Sequence, residues 1–301
     1  MPEPREVPEP RQADFEAWEA RASADHQTYS ERQASEVFLA ALGSTPTFRK
    51  KILLKGGILV GAVYASGRNT ADLDFSTTAE PSLDFLNQLE AELTEALPSA
   101  AATLGTPGTI IKVQSVKYRP RKETFVESNS PAISVKFAYA QQGTQQAMRL
   151  AEGKANDIIY ADISFNEPIE IIEQICIGDS GLSFFAYSKV ELIAEKLRSI
   201  IQQKKIHRNR IRRQDTYDIW YLVSNFEISR SEQLDILNIF KLKCESRAIL
   251  PTLDSLDDGE IYERSKRDWD TLSSEVEYLP DFDEAFGIVR NFYRSIWADN
   301  R

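Results

Sequence analysis

Apolar residues fall at helical spacing through Val37, Phe38, Ala41 and Leu42, and the pattern stops at Gly43-Ser44-Thr45-Pro46. The triplet Ile52-Leu53-Leu54 before Lys55-Gly56-Gly57 predicts a buried strand entering a glycine turn, with a short apolar helix over Ile58 to Ala65. Gly67 to Thr70 reads as a loop, and Ala71-Asp72-Leu73-Asp74-Phe75-Ser76 as a second strand. Ser82 is placed as the cap of an amphipathic helix with Phe85, Leu86, Leu89, Leu93 and Leu97 on one side. Three further strands are expected: Ile111 to Tyr118, the alternation Ile133, Val135, Phe137, Tyr139, and the alternation Ile159, Ala161, Ile163, Phe165. The last places Asp162 on the face opposite its apolar neighbours.

From about Phe184 the pattern becomes helical. Ser188 and Glu191 are spaced as a capping box, and Val190, Ile193, Ala194, Leu197, Ile200 and Ile201 follow at i, i+3, i+4, i+7. Further helices are predicted near Asp215, over 231 to 243, and over 281 to 297. Residues 1–30 hold four prolines among Glu and Arg and read as a solvated, flexible acidic extension carrying at most a weak helix. The division is therefore 1–30 extension, 31–183 mixed-sheet domain and 184–301 helical domain, an α+β chain whose mixed sheet precedes an all-helical part.

Only two cysteines, Cys176 and Cys244, and two histidines, His26 and His207, occur in the 301 residues. A disulfide framework, a His pair on zinc and most nucleophile–histidine mechanisms are thereby excluded, and a reducing cytoplasmic setting is expected. The N-terminus has no basic cluster followed by an apolar stretch, and no apolar run approaches membrane-spanning length. Catalysis is left to carboxylates and lysines. Gly178-Asp179-Ser180-Gly181 resembles a serine-protease nucleophile loop, but only His26 precedes that serine.

Two stretches carry chemistry. In the first, the glycine turn Gly56-Gly57 lets phosphate approach backbone N–H groups, and Asp72 and Asp74, two apart on a strand, share a face. Adjacent carboxylates repel unless a cation binds between them; Mg²⁺, with Mn²⁺ as an alternative, is the natural partner, and Asp162 is a candidate third ligand. In the second, Lys196, Arg198, Lys204, Lys205, Arg208, Arg210, Arg212 and Arg213 form an acid-free run, followed by Asp215 and Asp218 at i, i+3. The net charge of −10 argues against a nucleic-acid partner only as an average. Residues 244–301 hold fourteen acids against seven bases and residues 1–30 seven against three, which leaves the middle near neutral with a local anion site.

Leu54-Lys55-Gly56-Gly57, Arg68-x-Thr70-x-Asp72-x-Asp74-Phe75, Ala161-Asp162-Ile163, Tyr187-Ser188-x-x-Glu191-Leu192-x-x-x-Lys196-Leu197 and Arg213-x-Asp215-x-Tyr217-Asp218 resemble the AbiEii/AbiGii (MenT-like) nucleotidyltransferase toxins of the DNA polymerase β-like superfamily. The resemblance runs from about residue 35 to 225. It implies that Lys55, Gly56, Gly57, Arg68, Thr70 and Lys196 contact a nucleoside triphosphate, that Asp72 and Asp74 bind metal, and that Asp218 or Asp215 is the downstream catalytic aspartate. Ile58 departs from the threonine found in part of the family, and the loop after Lys196 is longer than in many members. It further implies a toxin of a toxin–antitoxin or phage-defence locus with a cognate antitoxin, acting on an RNA acceptor, foremost the tRNA 3′ end, so that translation stops. Lys204, Lys205, Arg208, Arg210, Arg212 and Arg213 would hold that RNA; neither a membrane nor DNA sequence recognition is expected. Two alternatives stay open: nucleotidyl transfer to a protein hydroxyl, and a non-catalytic module that sequesters RNA or nucleotide.

Overall fold

The computed structural model describes residues 3–204 and 211–298. A single nine-stranded sheet organises them: β1 (Arg5–Glu6), β2 (Arg11–Ala13), β3 (Ile52–Lys55), β4 (Leu73–Thr77), β5 (Thr109–Arg119), β6 (Ala132–Gln141), β7 (Ile158–Ser164), β8 (Ile171–Ile177) and β9 (Ser183–Tyr187). Spatial order is β1-β8-β9-β3-β4-β7-β6-β5, with β2 also on β8. Parallel pairs (β3 with β9, β4 with β7) and antiparallel pairs (β3 with β4, β6 with β7) mix within it.

The five expected strands are present, and four were not foreseen, two of them in the body of the sheet. Ile171–Ile177 and Ser183–Tyr187 form an antiparallel pair inserted between the N-terminal edge and β3. Their residues are buried almost throughout, so neither shows the alternation of a half-buried strand. The expected flexible extension is in part a sheet edge: β1 and β2 run parallel to β8, and the short helix α1 (Phe15–Ala20) buries Phe15 and Trp18 to 1% exposure each. Those two aromatics stack edge-on at 5.7 Å, and Phe15 meets Phe184 at 6.0 Å. Burying two large rings offsets the entropy of ordering a proline-rich segment.

Helix α2 (His26–Gly43) starts earlier than its apolar stripe suggests, because Asp25 caps it through the Gln27 N–H. It lies on one face of the sheet, with Phe38 4.8 Å from Phe137 and 6.2 Å from Phe75. After β3 comes α3 (Gly56–Ile58), continued by a π-helical turn over Leu59–Val63 that Ala65, at φ 53°, ends. Ser82 does not cap α4 (Phe85–Thr103): it accepts from the Asp84 N–H in the preceding turn. The predicted apolar residues of α4 are nevertheless buried. A short helix α5 (Gln145–Ala151) lies between β6 and β7.

The helical layer comprises α6 (Lys189–Gln202), α7 (Arg213–Asn225), α8 (Arg230–Glu245), α9 (Gly259–Lys266) and α10 (Phe282–Trp297). Helix α6 is buried on nearly every side, packing between sheet and helices. Ser188 caps it from the Glu191 N–H, but the second half of the expected box is redirected. The Glu191 carboxylate accepts instead from the backbone N–H groups of Glu170 and Ile171, at 3.1 and 3.0 Å, tying α6 to the start of β8. The complete capping box belongs to Ser229 and Glu232 at α8. One continuous core extends from Ala13 to Ile296 through both layers. Among the described residues, no helix is long and apolar enough to cross a membrane.

Candidate active site

Sheet register builds one wall. Lys55 pairs with Asp74 across the antiparallel β3–β4 ladder, and Asp74 pairs with Asp162 across the parallel β4–β7 ladder. Residues in register share a face, so ammonium, carboxylate and carboxylate form a row across three strands. Burial is the main cause raising the Asp74 carboxyl, to about 6; Lys55 and Lys196 pull it down, and Asp162 and Asp72 push it up. Asp162 meets Arg119 at 2.8 Å and is half exposed. Asp72 lies one residue before β4 and is exposed, so it belongs to the loop rather than to the strand face expected for it.

The glycine turn is required by what it touches. Gly56 has φ +77°, and a Cβ there would lie 2.3 Å from Asp74 Oδ2. A Cβ on Gly57 would lie 2.9 Å from Thr70 Cγ2 and 3.0 Å from Arg68 Cζ. The pair thus packs between Asp74 on one side and the Arg68–Thr70 loop on the other. That loop is held from the C-terminal part of the chain: the Asn69 N–H donates to the Glu275 carbonyl at 2.6 Å, and Gln214 donates to the Glu275 carboxylate at 2.7 Å.

Helices α6 and α7 build the opposite wall. Lys196 is 4% exposed and donates to Asp218 Oδ2 at 2.6 Å and to Asp215 Oδ1 at 3.2 Å. Burial pulls the Lys196 ammonium down, yet the two aspartates outweigh it and leave it raised. Burial likewise raises the Asp215 carboxyl, and Lys196 and Arg212 more than reverse it. Asp218 Oδ2 also accepts from Arg68 Nη1, its side chain is 0% exposed, and its Oδ1 has no hydrogen-bond partner among the described residues. The two downstream aspartates are therefore distinguished by place: Asp215 lines the cavity, while Asp218 lies behind Lys196.

The walls enclose a cavity of about 640 Å³. Of the residues singled out in the sequence, Lys55, Gly56, Asp74, Asp162, Lys196, Arg198, Arg212 and Asp215 line it. Gly57, Arg68, Thr70, Asp72, Asp218, Lys204 and Arg213 do not. The described residues of the basic run are paired rather than free. Arg198 pairs with Glu195, Lys204 with Asp258, Arg212 with Asp215 at 3.2 Å and Arg213 with Glu275 at 3.6 Å. Lys205, Arg208 and Arg210 fall outside the described residues, as does His207.

Sequence reading missed Glu167 and the arginines that reach the cavity from elsewhere. Glu167, 7% exposed, accepts from Lys55 at 2.5 Å, from Ser76 Oγ at 2.6 Å and from Arg247 at 2.9 Å. Its burial is outweighed by Lys55, and its carboxyl is held low. Arg119 ends β5 and Arg247 follows α8, so neither adjoins a motif. Their one sequence signal is the basic end of Ile111 to Tyr118. Among the described residues, no three His, Cys, Asp or Glu side chains are gathered so as to hold a metal ion alone.

The family model for the nucleotidyl transferase AbiEii toxin of type IV toxin–antitoxin systems matches residues 37–287. No curated protein matches the chain. Among solved structures, MenT4, a nucleotidyltransferase toxin from Mycobacterium tuberculosis, is similar at a TM-score of 0.52 and 14% identity. That match covers 94% of this chain and 88% of the other, a likeness of fold. With the family model spanning most of its length, the chain belongs to the AbiEii nucleotidyltransferase toxins of type IV toxin–antitoxin systems.

Proposed function

We propose that this toxin uses Mg²⁺ to transfer a nucleotidyl group from a nucleoside triphosphate to an RNA 3′ hydroxyl, foremost that of tRNA, and so blocks translation. The observation that carries the reading is the register row Lys55–Asp74–Asp162 facing Lys196 across one cavity. Nucleotidyltransferases as a class use a nucleoside triphosphate and a divalent metal, and a type IV system implies a cognate antitoxin.

The donor set suits that ion. Asp74 and Asp162 offer hard oxygen donors, and Asp72 a third from the loop. Mg²⁺ is usually held by one or two carboxylates with substrate phosphates completing the shell, so an incomplete protein cage is the expected arrangement. When bound, the ion would activate the attacking hydroxyl and neutralise the leaving pyrophosphate.

The rest falls to the chain's own residues. Lys196 and Lys55 place positive charge against the triphosphate from opposite walls. Glycine at 56 leaves room for the Asp74 carboxylate, which any side chain there would displace. Asp215, ionised and open to the cavity, orients or deprotonates the acceptor hydroxyl. Asp218 positions Lys196 and Arg68 from behind. Arg119 and Arg247, with Arg212, face the acceptor's phosphates.

The test is to incubate the purified chain with each labelled nucleoside triphosphate and either total RNA or total protein. Label in RNA that vanishes with Asp74→Ala is the expected result. Label confined to protein would replace the acceptor, and growth inhibition undiminished by Asp74→Ala would remove catalysis from the mechanism altogether.

A further inference from the structure

The sheet face that carries Asp162 continues outward past the Lys55–Asp74–Asp162 row. Register extends that row from Asp162 through Ser134 to Lys117 on the edge strand β5. The neighbouring row runs from Tyr160 through Lys136 to Ser115. Residues in register share a face, and the alternate positions Ile133, Val135, Ile159 and Ile163 supply the opposite, core-facing side, each at most 1% exposed.

Lys112, Lys117, Lys136 and Tyr160 are exposed on this face, Tyr160 by 46%. The Lys136 ammonium stands 5.2 Å from the centre of the Tyr160 ring. Strands β5, β6 and β7 together contain a single acid, Asp162, whose partner is Arg119. Among the described residues none of the three lysines pairs with an acid, unlike Arg198, Lys204, Arg212 and Arg213. In a chain of net charge −10, a cationic strip that the fold leaves unneutralised is an anion-binding surface. Lysines also guard a sheet edge against pairing, but Lys136 and Tyr160 lie one and two strands in from that edge.

We propose that the open face of β5, β6 and β7 binds the single-stranded 3′ end of the RNA acceptor, with Lys117 and Lys136 on its phosphates and Tyr160 stacked against one of its bases. This rests on the RNA-acceptor reading above. Phosphate contacts supply affinity whatever the sequence, and a base outside a duplex stacks on an aromatic ring. Tyr160 lies two residues from Asp162 along β7, about 7 Å, so the stacked base is one close to the reacting 3′ hydroxyl. An acidic protein segment would engage the lysines and leave the ring without a stacking partner.

Fluorescence anisotropy of the full chain with a dye-labelled single-stranded RNA of about 12 nucleotides, without metal ion or nucleotide, tests this. The paired change Lys117→Ala and Lys136→Ala is expected to reduce the salt slope by about 1.4, two phosphate contacts. Tyr160→Ala is expected to weaken binding about fivefold or more at an unchanged slope, and Tyr160→Phe to restore it, because stacking needs the ring and not the hydroxyl. All three side chains are exposed, so folding is not at stake. Wild-type RNA binding that these changes leave unaltered overturns this surface alone. A wild-type chain that neither binds nor labels RNA overturns the RNA-acceptor reading and this surface with it. Competition by a polyglutamate peptide as effective as that by unlabelled RNA, with Tyr160→Ala silent, assigns the face to an acidic protein and overturns the proposal as well.

Discussion

The two walls of the candidate active-site cavity are built from the same kinds of side chain and balance their charge differently. On the sheet wall, Asp74 is raised to about 6 and Asp162 shares one half-exposed arginine, so negative charge is left over. On the helix wall, Asp215 and Asp218 are matched by Lys196, Arg68 and Arg212 within hydrogen-bond reach. A carboxylate cluster that its own fold does not neutralise is poised for an external cation; in the neutralised one, Asp218, away from the cavity, acts as scaffold while Asp215 stays open to it.

The sharpest break would come from Asp74→Ala, expected to lower nucleotide incorporation by about 10³-fold or more, the several kcal/mol a bound metal ion contributes. Asp72→Ala, in the loop, is expected to lose activity by a smaller factor in the same labelling assay. Equal losses would mean that both carboxylates bind alike. On the helix wall the effect should fall on stability. Asp218→Asn leaves Arg68 and Lys196 short of a buried counter-charge and should cost about 3 kcal/mol or more in denaturant unfolding. A variant of undiminished stability would end the scaffold reading.

The pH response separates the walls next. Asp74 has its folded pKa above its unfolded value, so the unfolded chain releases this proton first. Its contribution to stability is therefore present at low pH and lost as pH rises from about 4 to about 6, by at most about 3 kcal/mol. Activity should move the opposite way, climbing through pH about 6 as Asp74 ionises. Asp74→Asn should abolish the stability loss; a stability curve that it leaves unchanged would place the titration elsewhere. The smallest effect is assigned to Lys204→Ala. Because Lys204 already pairs with Asp258, the salt slope of RNA binding should stay within about 0.7 of the wild-type value, less than one phosphate contact.

How far the sequence revealed this site follows from distance along the chain. Asp74 and Asp162 sit on strands that short-range alternation identifies and Lys55 closes one read from an apolar triplet, so their row needed only the register. Lys196 was legible from its helix, though its partners Asp215 and Asp218 come from α7. Glu167 and Arg247 were illegible: one follows β7 in an irregular stretch, the other lies 80 residues further on, and they meet only because the helical layer folds back on the sheet. For the described part of the eight-charge run, sequence hid the pairing instead. Its acids of balance, Glu275 and Asp258, are supplied from far downstream, where no local pattern shows them. Likewise β8 and β9, buried on both faces, lack the alternation by which a strand is read.

The contact of Asn69 with the Glu275 carbonyl gives the molecule an order of completion. Arg68 and Thr70 emerge early in synthesis, but the segment that fixes their loop is made some two hundred residues later. On a ribosome moving from the N-terminus, strands and carboxylates can form while this loop is still unsupported. The two halves of this contact are thus separated in time of synthesis as well as in sequence, and the Arg68–Thr70 loop gains this support only once residue 275 has been made.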